Sequence, residues 1–237
     1  MITLSFDSTA KVASVAITDS DKLLAVYNID NGLTQSELLL PMAEAMLSAL
    51  KLSFSDIELL ACSVGPGSFT GVRIGAALVK GIAFGKNIPC VSVSTLEALA
   101  ENLSGLDGII VPAMDARRGQ LYTAVFECFD GKLQRISEDM AISADELAKR
   151  LEEYSERRDI YVVGDGYDVA IKALSDAGIR AKITPQLLKC ENAYSVAKVA
   201  VRLHKEGKDM SDTQLSPTYL RVPQAERERL ERLNSEQ

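Results

Sequence analysis

The stretch "IELLACSVGPGSFTGVRIGAALVKGIAFG", Ile57–Gly85, decides the fold class. Its opening run "IELLACSV" is apolar nearly throughout, the pattern of a strand covered on both faces. Four glycines and one proline then fall within Ser63–Gly75. "GVRIGAALVKGIAFG" follows and reads as a helix, so a strand, a tight loop and a helix succeed one another, the unit from which α/β folds are built. Upstream, "MITLSFDS", "KVASVAITD" and "KLLAVYNI" read as three strands joined by the short polar turns of a meander. In "TQSELLLPMAEAMLSALK", Leu39, Ala43, Met46 and Leu50 share one helical stripe, with Leu38, Met42, Ala45 and Ala49 beside it. Thr34 fits the N-cap of that helix and Glu37 the capping-box position. Pro41 either kinks it or marks its true first turn. Downstream, "IPCVSVS" is a strand and "TLEALAENL" a helix. The order βββ-α-β-α-β-α predicts a mixed five-stranded sheet with helices on its faces.

A second block begins near Asp107. "GIIVPAMDA", "QLYTAVFECFD" and "KLQRISE" read as another meander, and "SADELAKRLEEY" as a helix capped by Ser143. "DIYVVGDG" is a strand and turn, and "YDVAIKALSDAG" and "NAYSVAKVAVRLHKEG" are helices. The expected organisation is therefore a first lobe over residues 1–105, a smaller second lobe over 106–223 and a charged tail over 224–237. The second block has the outline of a shortened copy of the first, without a residue-level repeat.

Composition narrows the function. Of 237 residues, 47% are apolar, enough for a sizeable core. The net charge of −7 disfavours direct approach to a phosphate backbone, so service to nucleic acid would run through a partner or a local patch. Cys62, Cys90, Cys128 and Cys190 form no C-x-x-C pair and lie in or beside apolar runs, as buried reduced thiols of a cytoplasmic protein would. The N-terminus has no signal-peptide pattern, and no apolar run reaches the length of a membrane span. His204 is the only histidine, and it falls among polar neighbours on a helix, which excludes a histidine-based metal cluster and favours a solvated side chain.

Four features invite a site. Gly65, Gly67 and Ser68 belong to a loop that matches neither G-x-x-x-x-G-K-[ST] nor G-x-G-x-x-G. Its glycines serve close packing on the simpler reading, and an anion at the helix N-terminus on the other. Asp7, followed by Ser8 and Thr9 at a strand end, can cap a turn or hold Mg²⁺. "MDARRGQLY" sets Asp115 against Arg117 and Arg118, a salt-bridged turn or one that presents Arg to a partner or phosphate. Gly164 and Gly166 in "VVGDGYD" again allow close approach of backbone or ligand. Finally, the helix after the first loop is apolar nearly all round, interrupted only by Arg73 and Lys80. Such a helix needs cover on both sides. The expected partner face comprises Val72, Arg73, Ala76, Val79 and Ala83, widened by Leu38, Leu39, Met42 and Met46 of the preceding helix.

"FDSTAKVASVAI", "SVGPGSFTGVRIG", "VSTLEALA", "MDARRGQLY", "VGDG" and "PTYLR" occur in this order and together resemble the bacterial TsaB family, also called YeaZ. The resemblance spans nearly the whole chain. It implies a two-lobed actin-like and Hsp70-like ATPase fold (ASKHA) built from RNase H-like mixed sheets, with the second lobe reduced. It implies a role in forming N6-threonylcarbamoyladenosine at position 37 of tRNAs that read codons beginning with A. In that family the paralogue TsaD carries the metal and transfers the group, TsaB pairs with TsaD, the ATPase TsaE docks on the pair, and tRNA is met through the complex; the partner face of this chain is expected to meet TsaD, or a second copy of the chain when TsaD is absent. TsaD-type proteins hold metal with an H-x-x-x-H pair, and Gln35 and Leu39 stand at the corresponding positions here. Asp7, Ser8, Gly65, Gly67, Ser68, Gly164 and Gly166 would make at most a vestigial nucleotide site, with ATP or ADP and Mg²⁺ weakly held or shared across a partner interface. The expectation is a non-catalytic subunit without a cofactor of its own. The alternative is a small-molecule kinase or ATPase of the same superfamily, such as a type III pantothenate kinase, although "FDSTAK" lacks the Asp-x-Gly-Asn-Thr pattern of that group. A peptidase, a label once attached to relatives, is disfavoured by the lone His204.

Overall fold

A computed structural model of the chain describes residues 1–221. The first lobe begins with β1 (Ile2–Asp7), β2 (Ala13–Asp19) and β3 (Lys22–Ile29), followed by α1 (Gln35–Leu50), β4 (Leu59–Gly65), α2 (Phe69–Ala83), β5 (Cys90–Ser94) and α3 (Thr95–Glu101). β1 pairs antiparallel with β2 and parallel with β4, and β5 lies parallel outside β4, giving the order β3-β2-β1-β4-β5. The apolar run of β4 is explained by its two covered faces. Leu60, Cys62 and Val64 join the core beneath α1 and α2, while Leu59 and Ala61 point to the opposite side. The predicted capping box of α1 is formed: Thr34 N donates to Glu37 Oε2 at 3.1 Å. Pro41 sits inside α1, at an exposed position.

The second lobe runs β6 (Gly108–Asp115), β7 (Gln120–Thr123), β8 (Phe126–Phe129), β9 (Lys132–Arg135), β10 (Met140–Ser143), α4 (Ala144–Ser155), β11 (Ile160–Val163), α5 (Tyr167–Asp176), β12 (Ala181–Lys182), α6 (Gln186–Lys189) and α7 (Ala193–Lys205). β6 takes β7 and β8 one after the other along one edge, both antiparallel, and β11 parallel along the other, with β12 outside β11. β9 and β10 lie outside β8 and β7. If β7 and β8 are counted as one interrupted strand, the order repeats that of the first sheet. Both lobes are therefore RNase H-like, and the chain has the two-lobed actin-like architecture that the family resemblance implied.

Three details differ from expectation. "QLYTAVFECFD" is two strands, broken at Ala124–Val125, where Val125 turns its N–H to Ser137 Oγ (2.8 Å) and its carbonyl to Ile136 N (2.8 Å). β10, β12 and α6 are too short to give a periodic signal. The third difference concerns α7, which the sequence order assigns to the second lobe. Val196, Val199 and Ala200 of α7 pack on Leu59, Ala61, Val91 and Val93 of the first sheet, and Ser5 Oγ donates to Ala193 O at 2.7 Å. Conversely, Leu96, Leu99 and Ala100 of α3 pack against Ile110, Met114 and Phe126 of the second sheet. Each lobe's last helix thus packs on the other lobe's sheet. The last two positions of the expected second lobe and the charged tail lie outside the described residues.

Candidate functional site

A cleft of about 850 Å³ opens where the two lobes meet. Thr9, Gly67 and Thr70 line it from the first lobe, and Asp115, Arg117 and Asp165 from the second. The loops that carry these residues all leave the ends of the central strands, which is why the fold brings them together.

On the first-lobe side the residues singled out in the sequence are committed to one another. Asp7 is 1% exposed and lies beneath the cleft wall. Its Oδ1 accepts from Thr9 N (2.9 Å) and Thr9 Oγ1 (2.6 Å), and its Oδ2 from Ser63 Oγ (2.5 Å). Burial raises its carboxyl above the usual range, although all three hydrogen bonds oppose the shift. Ser8 Oγ donates to Gly71 O (2.8 Å), and Ser68 Oγ caps α2 by accepting from Gly71 N (3.2 Å). The glycines answer a packing need. A Cβ on Gly71 would stand 1.8 Å from Ser8 O, and one on Gly67 2.6 Å from Thr9 O. The second lobe repeats the device, since a Cβ on Gly164, which holds φ +112°, would stand 2.3 Å from Ala113 O. An Asp7 so enclosed does not fit the role of ligand to a nucleotide's Mg²⁺.

Among the described residues the turn "DARRG" makes no salt bridge. Asp115 Oδ1 accepts from Arg117 N at 2.8 Å, and Arg117, Arg118 and Gly119 all hold positive φ, so the backbone of the turn consumes the carboxylate. The turn places Arg117 in the cleft wall. Asp165 Oδ1 accepts from Asp115 N (2.9 Å); desolvation raises its carboxyl, with Lys11 and Arg117 pulling the other way.

Glu191 gave no signal in the sequence. It is 3% exposed in the crossing from α6 to α7, and its Oε1 has no hydrogen-bond partner among the described residues. Desolvation, then the charges of Asp7 and Asp165, push its carboxyl well above the usual range. Three carboxyl groups with raised affinity for protons therefore gather at the junction of the lobes. Among the described residues no three His, Cys, Asp or Glu side chains are placed to hold a metal ion together. Gln35 spends its amide on the carbonyls of Ala10 (2.9 Å) and Lys11 (3.2 Å), and Leu39 is 1% exposed. His204 is half-buried on α7, with Nδ1 3.2 Å from Asp209 Oδ1. Cys62, Cys90 and Cys128 are buried free thiols, and burial pushes the Cys90 thiol up to about 11. No described helix is long and apolar enough to cross a membrane.

The expected partner face needs correction. Leu39, Met42, Met46, Val72, Ala76, Val79 and Ala83 are at most 5% exposed, sealed against this chain's own sheet. Leu38 is half-buried, and Arg73 is exposed but engaged with Tyr219. On α2 the buried stripe is Gly71, Val72, Gly75, Ala76, Val79, Ile82 and Ala83. What α2 leaves outside is a stripe of small or apolar residues: Ala77 and Gly81 are exposed, Ile74 and Leu78 are half-buried at its flanks, and Phe84 just beyond is 79% exposed. On the neighbouring α1, Leu40, Pro41 and Ala45 are exposed.

Comparison with known proteins agrees with this architecture. The family described as TsaD, tRNA N6-adenosine threonylcarbamoyltransferase, matches residues 34–229. The tRNA threonylcarbamoyladenosine biosynthesis protein TsaB of Bacillus subtilis is 30% identical over 95% of this chain and 96% of its own length. Its Escherichia coli namesake is 29% identical over 92% of this chain and 94% of its own length. Among solved structures, YeaZ from Pseudomonas aeruginosa superposes with a TM-score of 0.76 at 22% identity, over 92% of this chain and 99% of its own. A second Pseudomonas aeruginosa structure, described as similar to peptidase YeaZ, gives 0.79 at 23% identity, over 93% and 99%; these two likenesses concern the fold alone.

Proposed function

The chain belongs to the TsaB family of tRNA threonylcarbamoyladenosine biosynthesis proteins, and from that premise we propose that it is the non-catalytic pairing subunit of the machinery. In this reading it grips TsaD, the transferase, so that N6-threonylcarbamoyladenosine is formed at position 37 of tRNAs reading codons that begin with A. TsaE, the ATPase, docks on the pair, and tRNA is met through the complex. Without TsaD, a second copy of the chain takes its place.

The observation that carries the proposal is the outward stripe of α2, Ala77, Gly81 and Phe84 with Ile74 and Leu78 beside it. Small residues let another helix approach closely, and the exposed aromatic provides area to bury. The cleft supports the non-catalytic half of the reading. Asp7 has both oxygens occupied, and Gln35 and Leu39 serve the turn and the core. The isolated chain accordingly binds ATP weakly at best, and any firm nucleotide site is completed by a partner.

Reconstitution tests the assignment. The chain is combined with TsaD, TsaE, the enzyme that makes threonylcarbamoyl-adenylate, and tRNA, and each component is omitted in turn. Modification should collapse without this chain. Equal modification in its absence would refute the proposal.

A further inference from the structure

The motif "PTYLR", Pro217–Arg221, has no part in the function proposed above, yet its placement is specific. After α7 the chain returns along the edge of the first sheet, where Met210 and Cys90 exchange both backbone hydrogen bonds at 2.8 Å. Leu215 is fully buried in the first-lobe core. Thr218 N then donates to Val64 O at 2.8 Å, at the end of β4. Gly65 makes room for it: a Cβ there would stand 2.3 Å from Thr218 O, and the residue holds φ +125°. Tyr219 lies against Phe69 at the start of α2, with ring centroids 4.9 Å apart. The hydroxyl of Tyr219 accepts from Arg73 Nε at 2.8 Å, and the Arg73 guanidinium sits 3.7 Å above the Phe69 ring. Finally Arg221 reaches the other lobe. Its guanidinium carbon is 5.8 Å from the ring centre of Tyr122, on β7 in the cleft wall.

We infer that Leu215–Arg221 is an interlobe strap that fixes the width of the cleft. One short segment is seated in the first-lobe core, pinned to the strand and helix that frame the glycine loop, and ended on the opposite wall. The lobes are also joined by the exchanged packing of α3 and α7 and by the two chain crossings, 102–107 and 190–192. A strap tied to both rims adds a restraint at the mouth of the cleft, and the Arg221–Tyr122 contact is its tie to the second lobe.

Hydrogen exchange on the full chain tests this, read by mass spectrometry at the first-lobe rim, 68–72, and the second-lobe rim, 116–123. Arg221→Gln, Tyr122→Leu and the double variant are compared with the parent. Either single change should speed exchange at both rims by about two- to fivefold, the scale of one cation–π contact. The double variant should do no more than either single one, since both remove the same contact. Unchanged exchange at 116–123 in Arg221→Gln would overturn the inference, as would additive effects in the double variant. Both side chains are partly exposed, so folding should survive. Should Tyr122→Leu fail to fold, Arg221→Gln with Tyr219→Ala decides in its place. A strap predicts faster exchange at both rims from each change, and a purely local role predicts it at 68–72 alone.

Discussion

Gly71 is the position where a single atom matters most. A methyl group there would meet the backbone of Ser8 at 1.8 Å, with no flexible side chain to yield, so Gly71→Ala should destabilise the fold by about 3 kcal/mol or more. Gly81→Ala is the contrast: nothing lies within 4 Å, the site is in an exposed helix, and the isolated chain should gain about 0.5–1 kcal/mol. Urea unfolding of the two variants checks both signs. Glu191 yields a pH prediction. Its carboxyl is raised well above the ordinary 4.5, so the folded state holds the proton more tightly than the unfolded one. Stability contributed this way is complete at low pH and is lost as pH climbs from about 4.5 through the folded value. Thermal midpoints should fall over that window, and Glu191→Gln should flatten the slope. A residual slope stays with Asp7 and Asp165, which are raised in the same direction. A variant as steep as the parent would contradict this account. Sequence alone showed that the loop glycines mattered, but not why. The atoms that crowd them, on Ser8 and Thr9, lie far away along the chain, and a ligand would demand the same small residue. Glu191 was silent because nothing in its neighbours announces burial.

The α2 helix shows the same limit at the level of an element. The structure shows Ser68 as its cap, and its existence follows from pattern. Its inward face does not, because a helix apolar on every side offers no contrast from which to choose. The stripe through Val72, Ala76, Val79 and Ile82 went to the core, and the one through Ala77 and Gly81 stayed outside. A paired substitution separates them. Ala76→Glu places a charge in the core and should cost several kcal/mol, enough to lose the cooperative melt. Ala77→Glu, one residue on but exposed, should melt within a few degrees of the parent. Circular dichroism melting curves distinguish the two, and equal damage would mean that the faces have been exchanged. The first helix was more legible: the Thr34 and Glu37 cap was read from spacing and is present, because capping is a local contract between residues three apart.

At the scale of the molecule, the repeated meander was visible in sequence and the repeated sheet order confirms a duplicated architecture. The place of α7 was not visible. Amphipathic spacing tells that one face is buried, not against which sheet, and α7 crosses back to cover Leu59, Ala61, Val91 and Val93 of the first lobe. The exchange of last helices ties the lobes into one cooperative unit. A fragment of residues 1–105 should therefore fail to fold alone, since half of its sheet would lie bare; a dispersed amide spectrum from that fragment would show the lobes to be independent. The outer stripe of α2 is the proposed grip on a partner. Light scattering of the chain mixed with TsaD during size exclusion, comparing the parent with Ala77→Glu, tests it most directly. The parent should elute with TsaD at a heterodimer mass, and the folded variant should give two separate monomer peaks. An Ala77→Glu protein that still elutes with TsaD at full heterodimer mass would contradict it.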